Sequence, residues 1–79
     1  MTRDEIYERL NAVFQDVFDN PGIQVSDGTT AKDVPGWDSL SHISLLSAIE
    51  DEFGISFSMG ETVGLKNVGQ MVDIIEREA

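Results

Sequence analysis

The single histidine, His42, follows Ser39 by three residues in the run Gly36-Trp37-Asp38-Ser39-Leu40-Ser41-His42. At helical spacing, two side chains three apart share roughly one face. A serine beside an imidazole is the beginning of a nucleophile and general-base pair. The rest of the chain withholds the other parts. No second His orients the first, no Cys offers a thiolate, and no oxyanion-type loop accompanies the pair. Asp27 and Asp33 lack the alternating ligand spacing and closing Glu of a calcium loop. No catalytic or metal-ligating set is expected, and a lone His near a helix start reads as an ordinary surface residue.

The same stretch carries two further readings. In the first, Asp38 or Ser39 is a helix N-cap and nothing more. In the second, the outward N–H groups and dipole of the helix start favour a phosphate. A hydroxyl there is then well placed to bear a phosphodiester.

The elements that must position these residues follow from periodicity. Thr2 and Glu5 have capping-box spacing, and apolar residues fall at Ile6, Leu10, Val13, Phe14, Val17 and Phe18. This predicts a first helix over Thr2 to Phe18, stopped by Asn20-Pro21-Gly22. A long connection runs from Pro21 to Trp37, with Ile23, Val25 and Val34 expected on the core. Asp38 and Gly54 bracket a second helix, Ser39 to Phe53. Its expected core stripe is Leu40, Ile43, Leu46, Ile49 and Phe53, widened by Leu45, with Ser41, Ser44, Ser47, Glu50 and Asp51 outside. Ile55 to Met59 reads as extended, and Glu61 to Lys66 as one irregular helical turn. Asn67 caps a last helix with Val68, Met71, Val72 and Ile75 inward. The expectation is an all-α, small four-helix bundle. Three main helices and one short one form a single domain over residues 1–79, with a long loop between the first two helices.

Composition limits the function. The 79 residues hold 5 Lys or Arg against 15 Asp or Glu, a net charge of −10. Nucleic acid and anionic membrane surfaces are excluded as partners, because both need a basic surface. From Asp33 to Leu65 there is no Lys or Arg, so that stretch carries −6. It suits partners with basic patches. No apolar run approaches the roughly 20 residues of a membrane span. The N-terminus does not have the pattern of a signal peptide, so a cytoplasmic protein is expected. With 41% apolar residues the chain can form a core. That core leaves little room for an enzyme pocket of roughly 300–1,000 Å³.

The Asp38-Ser39-Leu40 helix start, preceded by Gly36 and followed by Ile43, Leu46, Ile49, Glu50, Phe53 and Gly54, resembles the acyl carrier protein family and its peptidyl carrier relatives. The resemblance runs over nearly the whole chain. It implies a non-enzyme that carries acyl groups as thioesters on a 4′-phosphopantetheine arm. A phosphopantetheinyl transferase would transfer that arm from coenzyme A to Ser39. Because the thiol arrives with the cofactor, the absence of Cys is no obstacle. Asp38 is then a cap that also helps the transferase place its metal and coenzyme A. Leu40 is either an apolar contact for the transferase or a core residue. Trp37 either covers the helix start or packs the loop.

The resemblance further implies a monomer that meets acyl-loading and acyl-processing enzymes of fatty-acid, polyketide or related biosynthesis through basic docking patches. The candidate partner-facing residues are Trp37, Ser41, His42, Ser44, Glu50, Asp51 and Glu61. Many fatty-acid carriers have acidic residues just after Ser-Leu. Ser41, His42 and Ser44 depart from that pattern and make docking near the arm less electrostatic. With Trp37, they are more like discrete carriers of specialised pathways. The alternative class is an unmodified acidic helical adaptor, which would need neither Ser39 nor coenzyme A.

Overall fold

A computed structural model gives the structure, which describes residues 1–58, 60 and 65–79. Among these residues it is all-helical. Helix α1 spans Arg3–Val17, a 3-10 turn spans Ala31–Asp33, α2 spans Ser39–Phe53 and α3 spans Val68–Glu78. The expected short helix and Met59 fall largely outside the described residues, and Leu65 and Lys66 are not helical.

Helix α1 begins as the sequence dictates. The Thr2 hydroxyl accepts from the Glu5 amide at 3.2 Å, and the Glu5 carboxylate accepts from the Thr2 amide at 3.0 Å. That bond from the Thr2 backbone holds the Glu5 carboxyl below its usual range. Its end differs from expectation. The helix stops at Val17, ahead of Asn20-Pro21-Gly22, because Asp19 takes a left-handed backbone at φ 49°. The Asn20 amide then reaches the Gln15 carbonyl at 3.0 Å and the Asp19 amide reaches Asp16 at 3.3 Å. These are the paired bonds of a Schellman turn.

Helix α1 packs on both α2 and α3. Ile6, Leu10 and Phe14 meet Leu45, Ile49, Val68, Met71, Val72 and Ile75, and all nine are almost fully buried. Burying each such side chain contributes about 1.5–3 kcal/mol against the entropy of folding.

The long connection is fastened from both sides. Asn11 accepts from the Val25 amide at 2.7 Å and Gln15 donates to the Ile23 carbonyl at 2.9 Å. With the backbone anchored, Ile23, Val25 and Val34 are buried as expected. The connection also closes the N-terminus of α3. The Thr29 carbonyl takes the Val68 amide at 2.8 Å and the Asp27 carbonyl takes the Gly69 amide at 3.0 Å. The Asn67 side chain takes the Gln70 amide at 2.9 Å. These bonds satisfy donors that a helix start leaves open.

The orientation of α2 needs a correction. Leu45, Ile49 and Phe53 are buried and Leu46 is half-buried, but Leu40 and Ile43 are 81% and 68% exposed. The buried residues step by four along one side. Leu40, Ile43, Ser44, Ser47 and Asp51 share the opposite face, and all are exposed. Ile43 is therefore surface, and Leu45 is central to the core rather than its edge. A run with apolar residues on both sides allows two stripes, and α1 selects the one that fits.

Candidate functional site

The site is built on the start of α2. Asp38 is the N-cap: its carboxylate accepts from the Leu40 amide at 3.0 Å and the Ser41 amide at 2.9 Å. Those bonds, led by the one from Ser41, hold the Asp38 carboxyl below the usual carboxylate range. Ser41 answers from inside the helix. Its hydroxyl accepts from the Asp38 amide at 2.8 Å and donates to the Gly36 carbonyl at 2.8 Å. Gly36 sits at φ 89°, a conformation that a side chain would oppose.

The two serines therefore differ in kind. Ser41 is half-buried and committed to the cap, contrary to its expected outer position. Ser39 is exposed, and its hydroxyl has no hydrogen-bond partner among the described residues. Asp38, not Ser39, is the cap, so the capping reading leaves the Ser39 hydroxyl with nothing to do.

Trp37 both covers the helix start and packs the loop. Its ring stands edge-on to Phe14 at 5.3 Å and lies 6.3 Å from Phe18. On its other side it stacks with His42 at 5.9 Å, the planes inclined by 20°. The indole Nε1–H donates to His42 Nδ1 at 3.0 Å. His42 is thus a half-buried partner of the tryptophan, not a plain surface residue. Burial pushes its pKa down, which favours the neutral ring. A neutral imidazole that accepts at Nδ1 carries its proton on Nε2. It has no free lone pair with which to act as a base on Ser39.

Beside Ser39 lies a groove of about 470 Å³, lined by Trp37, Asp38, Ser39, His42, Leu65, Lys66 and Met71 among others. Its walls are mixed, with apolar surface from Trp37, Leu65 and Met71 and polar groups from His42 and Lys66. A phosphate-linked arm on the Ser39 hydroxyl fits this arrangement, because the oxygen is open and an amphipathic groove adjoins it. Lys66 at this groove was not anticipated. It lies 27 positions after Ser39, a separation that no local spacing rule reaches.

The remaining candidates spread out along α2. Leu40 is exposed next to Ser39, which decides against its being core. Ser44 and Asp51 are exposed on the same face. Glu50 is turned elsewhere, its carboxylate accepting from the Phe57 amide at 2.8 Å. Glu61 lies outside the described residues. Among the described residues no cluster of His, Cys, Asp or Glu has the makings of a metal site. No described helix is long and apolar enough to cross a membrane.

Comparison with known proteins agrees with this geometry. The family described as the phosphopantetheine attachment site matches residues 8–75. The acyl carrier protein of Saccharopolyspora erythraea is 31% identical over 74 residues, covering 94% of this chain and 78% of that protein. The acyl carrier protein of Thermosynechococcus vestitus is 32% identical over 79 residues, covering 99% and 96%. The solution structure of holo acyl carrier protein from Geobacter metallireducens superposes with a TM-score of 0.85 at 38% identity, covering 91% of this chain and 83% of that one. By sequence and by fold, the chain belongs to the acyl carrier protein family, carriers of acyl groups on a covalently attached 4′-phosphopantetheine arm.

Proposed function

We propose that Ser39 is the residue that bears the arm and that residues 1–79 act as one carrier domain. The observation that carries this is the contrast between neighbouring serines. The Ser41 hydroxyl is held by Asp38 and Gly36, while the Ser39 hydroxyl is exposed and unengaged. In the attachment step an Oγ–P bond forms to the pantetheine-side phosphorus of coenzyme A, the phosphoanhydride bond breaks, and adenosine 3′,5′-bisphosphate leaves. The serine proton passes to the transferase. Once attached, the arm supplies the thiol that holds the acyl group. The protein supplies position and recognition, not catalysis.

Recognition is assigned to the exposed face of α2. Leu40 and Ile43 give it an apolar centre, Ser44 and Ser47 flank them, and Asp51 closes the far end. A transferase or acyl-processing enzyme that fits this face offers an apolar socket near the arm and basic residues at its margin. The net charge of −10 steers such partners from a distance. These exchanges take place in the cytoplasm, where coenzyme A is available.

The test is incubation with coenzyme A, magnesium and a broad-specificity phosphopantetheinyl transferase, followed by mass measurement. The wild type and Ser41→Ala gain one arm, and Ser39→Ala gains none while keeping its helical signal. Modification of Ser39→Ala, or its unfolding in ordinary buffer, would overturn the assignment. A wild type that gains no mass would favour an unmodified adaptor.

A further inference from the structure

The only tryptophan and the only histidine of the chain are bonded to each other, two residues before and three after Ser39. Formation of the Oγ–P bond at Ser39 itself uses neither of them. Trp37 is anchored on Phe14 and Phe18 at the α1 end, so its indole is a fixed, half-buried post against the core. His42 lies on the first turns of α2, where its amide donates to the Asp38 carbonyl at 2.9 Å. The Trp37–His42 contact therefore straps the turn Gly36-Trp37-Asp38 to the helix that follows. That turn supplies the Gly36 carbonyl and the Asp38 amide that hold Ser41. Ser39 stands inside the strap.

We propose that Trp37 and His42 form a proton-sensitive clasp that holds the Ser39 hydroxyl in its presented geometry. His42 is a positioning residue for arm attachment, and the inference rests on Ser39 being the attachment site. The chemistry is a donor and acceptor count. Neutral His42 accepts the indole N–H at Nδ1. The imidazolium has an N–H at both nitrogens and accepts nothing. Two N–H groups facing each other at 3.0 Å repel, and the stack must part. The turn before Ser39 is then released.

Among the described residues, few charged groups adjoin this pair. At the N-cap of α2, the Asp38 carboxylate is engaged by the Leu40 and Ser41 amides. From the segment before α3, Lys66 lines the same groove as His42. From the 3-10 turn, Ala31 reaches the groove, and the flanking Lys32 and Asp33 are exposed. Helix α1 presents Phe14 and Phe18, which carry no charge. Burial of the ring favours the neutral form.

The experiment uses Trp37 emission and arm attachment together, from about pH 8 to about pH 5, a range that spans ordinary histidine titration. The variants are His42→Gln, whose amide oxygen accepts without titrating, and Trp37→Phe, which keeps an aromatic ring and has no N–H. In the wild type, emission changes in one acid transition, and in His42→Gln that transition is absent. Across the same range the wild-type attachment rate, relative to His42→Gln, falls about fivefold, the population change that one lost hydrogen bond permits. The rate for Trp37→Phe relative to His42→Gln stays level. An emission transition that persists in His42→Gln, or a wild-type ratio that is flat in pH, overturns the clasp. Should His42→Gln lose its helical signal, the wild type measured against Trp37→Phe makes the same test. Emission that titrates while no variant gains mass at any pH instead overturns the attachment site, and the positioning role with it.

Discussion

Gly69 and Asp27 meet backbone to backbone. The Gly69 amide donates to the Asp27 carbonyl at 3.0 Å, and a Cβ on Gly69 would stand 2.8 Å from that same oxygen. The contact closes the long connection onto the first turn of α3. In an open helix, Gly→Ala gains about 1 kcal/mol in propensity. Here the clash is with backbone, which cannot swing aside, and overpacking of this kind costs about 1–3 kcal/mol. Gly69→Ala is therefore expected to lower the urea midpoint, by a net cost of up to about 2 kcal/mol. A variant at least as stable as the wild type would show that the connection yields freely.

How far the sequence specified this site depends on the scale of the interaction. The capping pairs Thr2/Glu5 and Asn67/Gln70, and the bracket of Asp38 and Gly54, are local, and their spacing alone locates the three main helices. The face of α2 is not local. Leu40, Ile43, Leu45, Leu46 and Ile49 lie on two overlapping stripes, and the choice is made by Phe14, Leu10 and Ile6 across the core. The Trp37–His42 bond and the approach of Lys66 to the Ser39 groove are likewise tertiary. Glu50 was legible as acidic, but not as the acceptor for Phe57.

Two isoleucines on α2 separate the stripes experimentally. Ile49 is fully buried and Ile43 is 68% exposed. Ile49→Ala is expected to cost about 2–5 kcal/mol, because it opens a cavity where α1, α2 and α3 meet. Ile43→Ala should change stability by no more than about 0.5 kcal/mol. It should slow arm attachment by removing apolar contact area from the transferase. Equal destabilisation by the two would return Ile43 to the core.

Acid stability tests the cluster around Arg3. Arg3 pairs with Asp27 at 2.9 Å and with Asp73 at 3.0 Å, and the Tyr7 hydroxyl donates to Asp27. The Tyr7 bond, then the Arg3 bond, lower the Asp27 pKa. A depressed carboxylate contributes stability that is present above its unfolded pKa and is lost as pH falls through the folded one. The difference in urea midpoint between wild type and Asp27→Asn should be full at neutral pH and close below about pH 4. Tyr7 has the opposite sign. Burial, then the Asp27 bond, push its pKa up to about 12. Its contribution holds below the ordinary value near 10 and fades as pH rises toward 12. A wild-type advantage over Asp27→Asn that persists in acid would mean that the ion pairs contribute nothing.

Glu50 and Asp51 are adjacent in sequence and differ in role, so charge changes at the two should separate folding from docking. The half-buried Glu50 carboxylate accepts the Phe57 amide at 2.8 Å and fixes the extended segment that leaves α2. Glu50→Ala strands that amide and should cost about 1 kcal/mol in urea unfolding. Asp51 is exposed on the face with Leu40 and Ile43, so Asp51→Lys should leave stability within about 0.5 kcal/mol of wild type. Its effect belongs to encounter. The reversal places a cation against basic partners, and charges separated by more than about 10 Å are screened at 0.1 M salt. Attachment by the transferase should therefore slow most at low ionic strength and recover as salt is raised. A deficit of equal size at low and high salt would assign Asp51 a direct contact and remove steering from the account of this face.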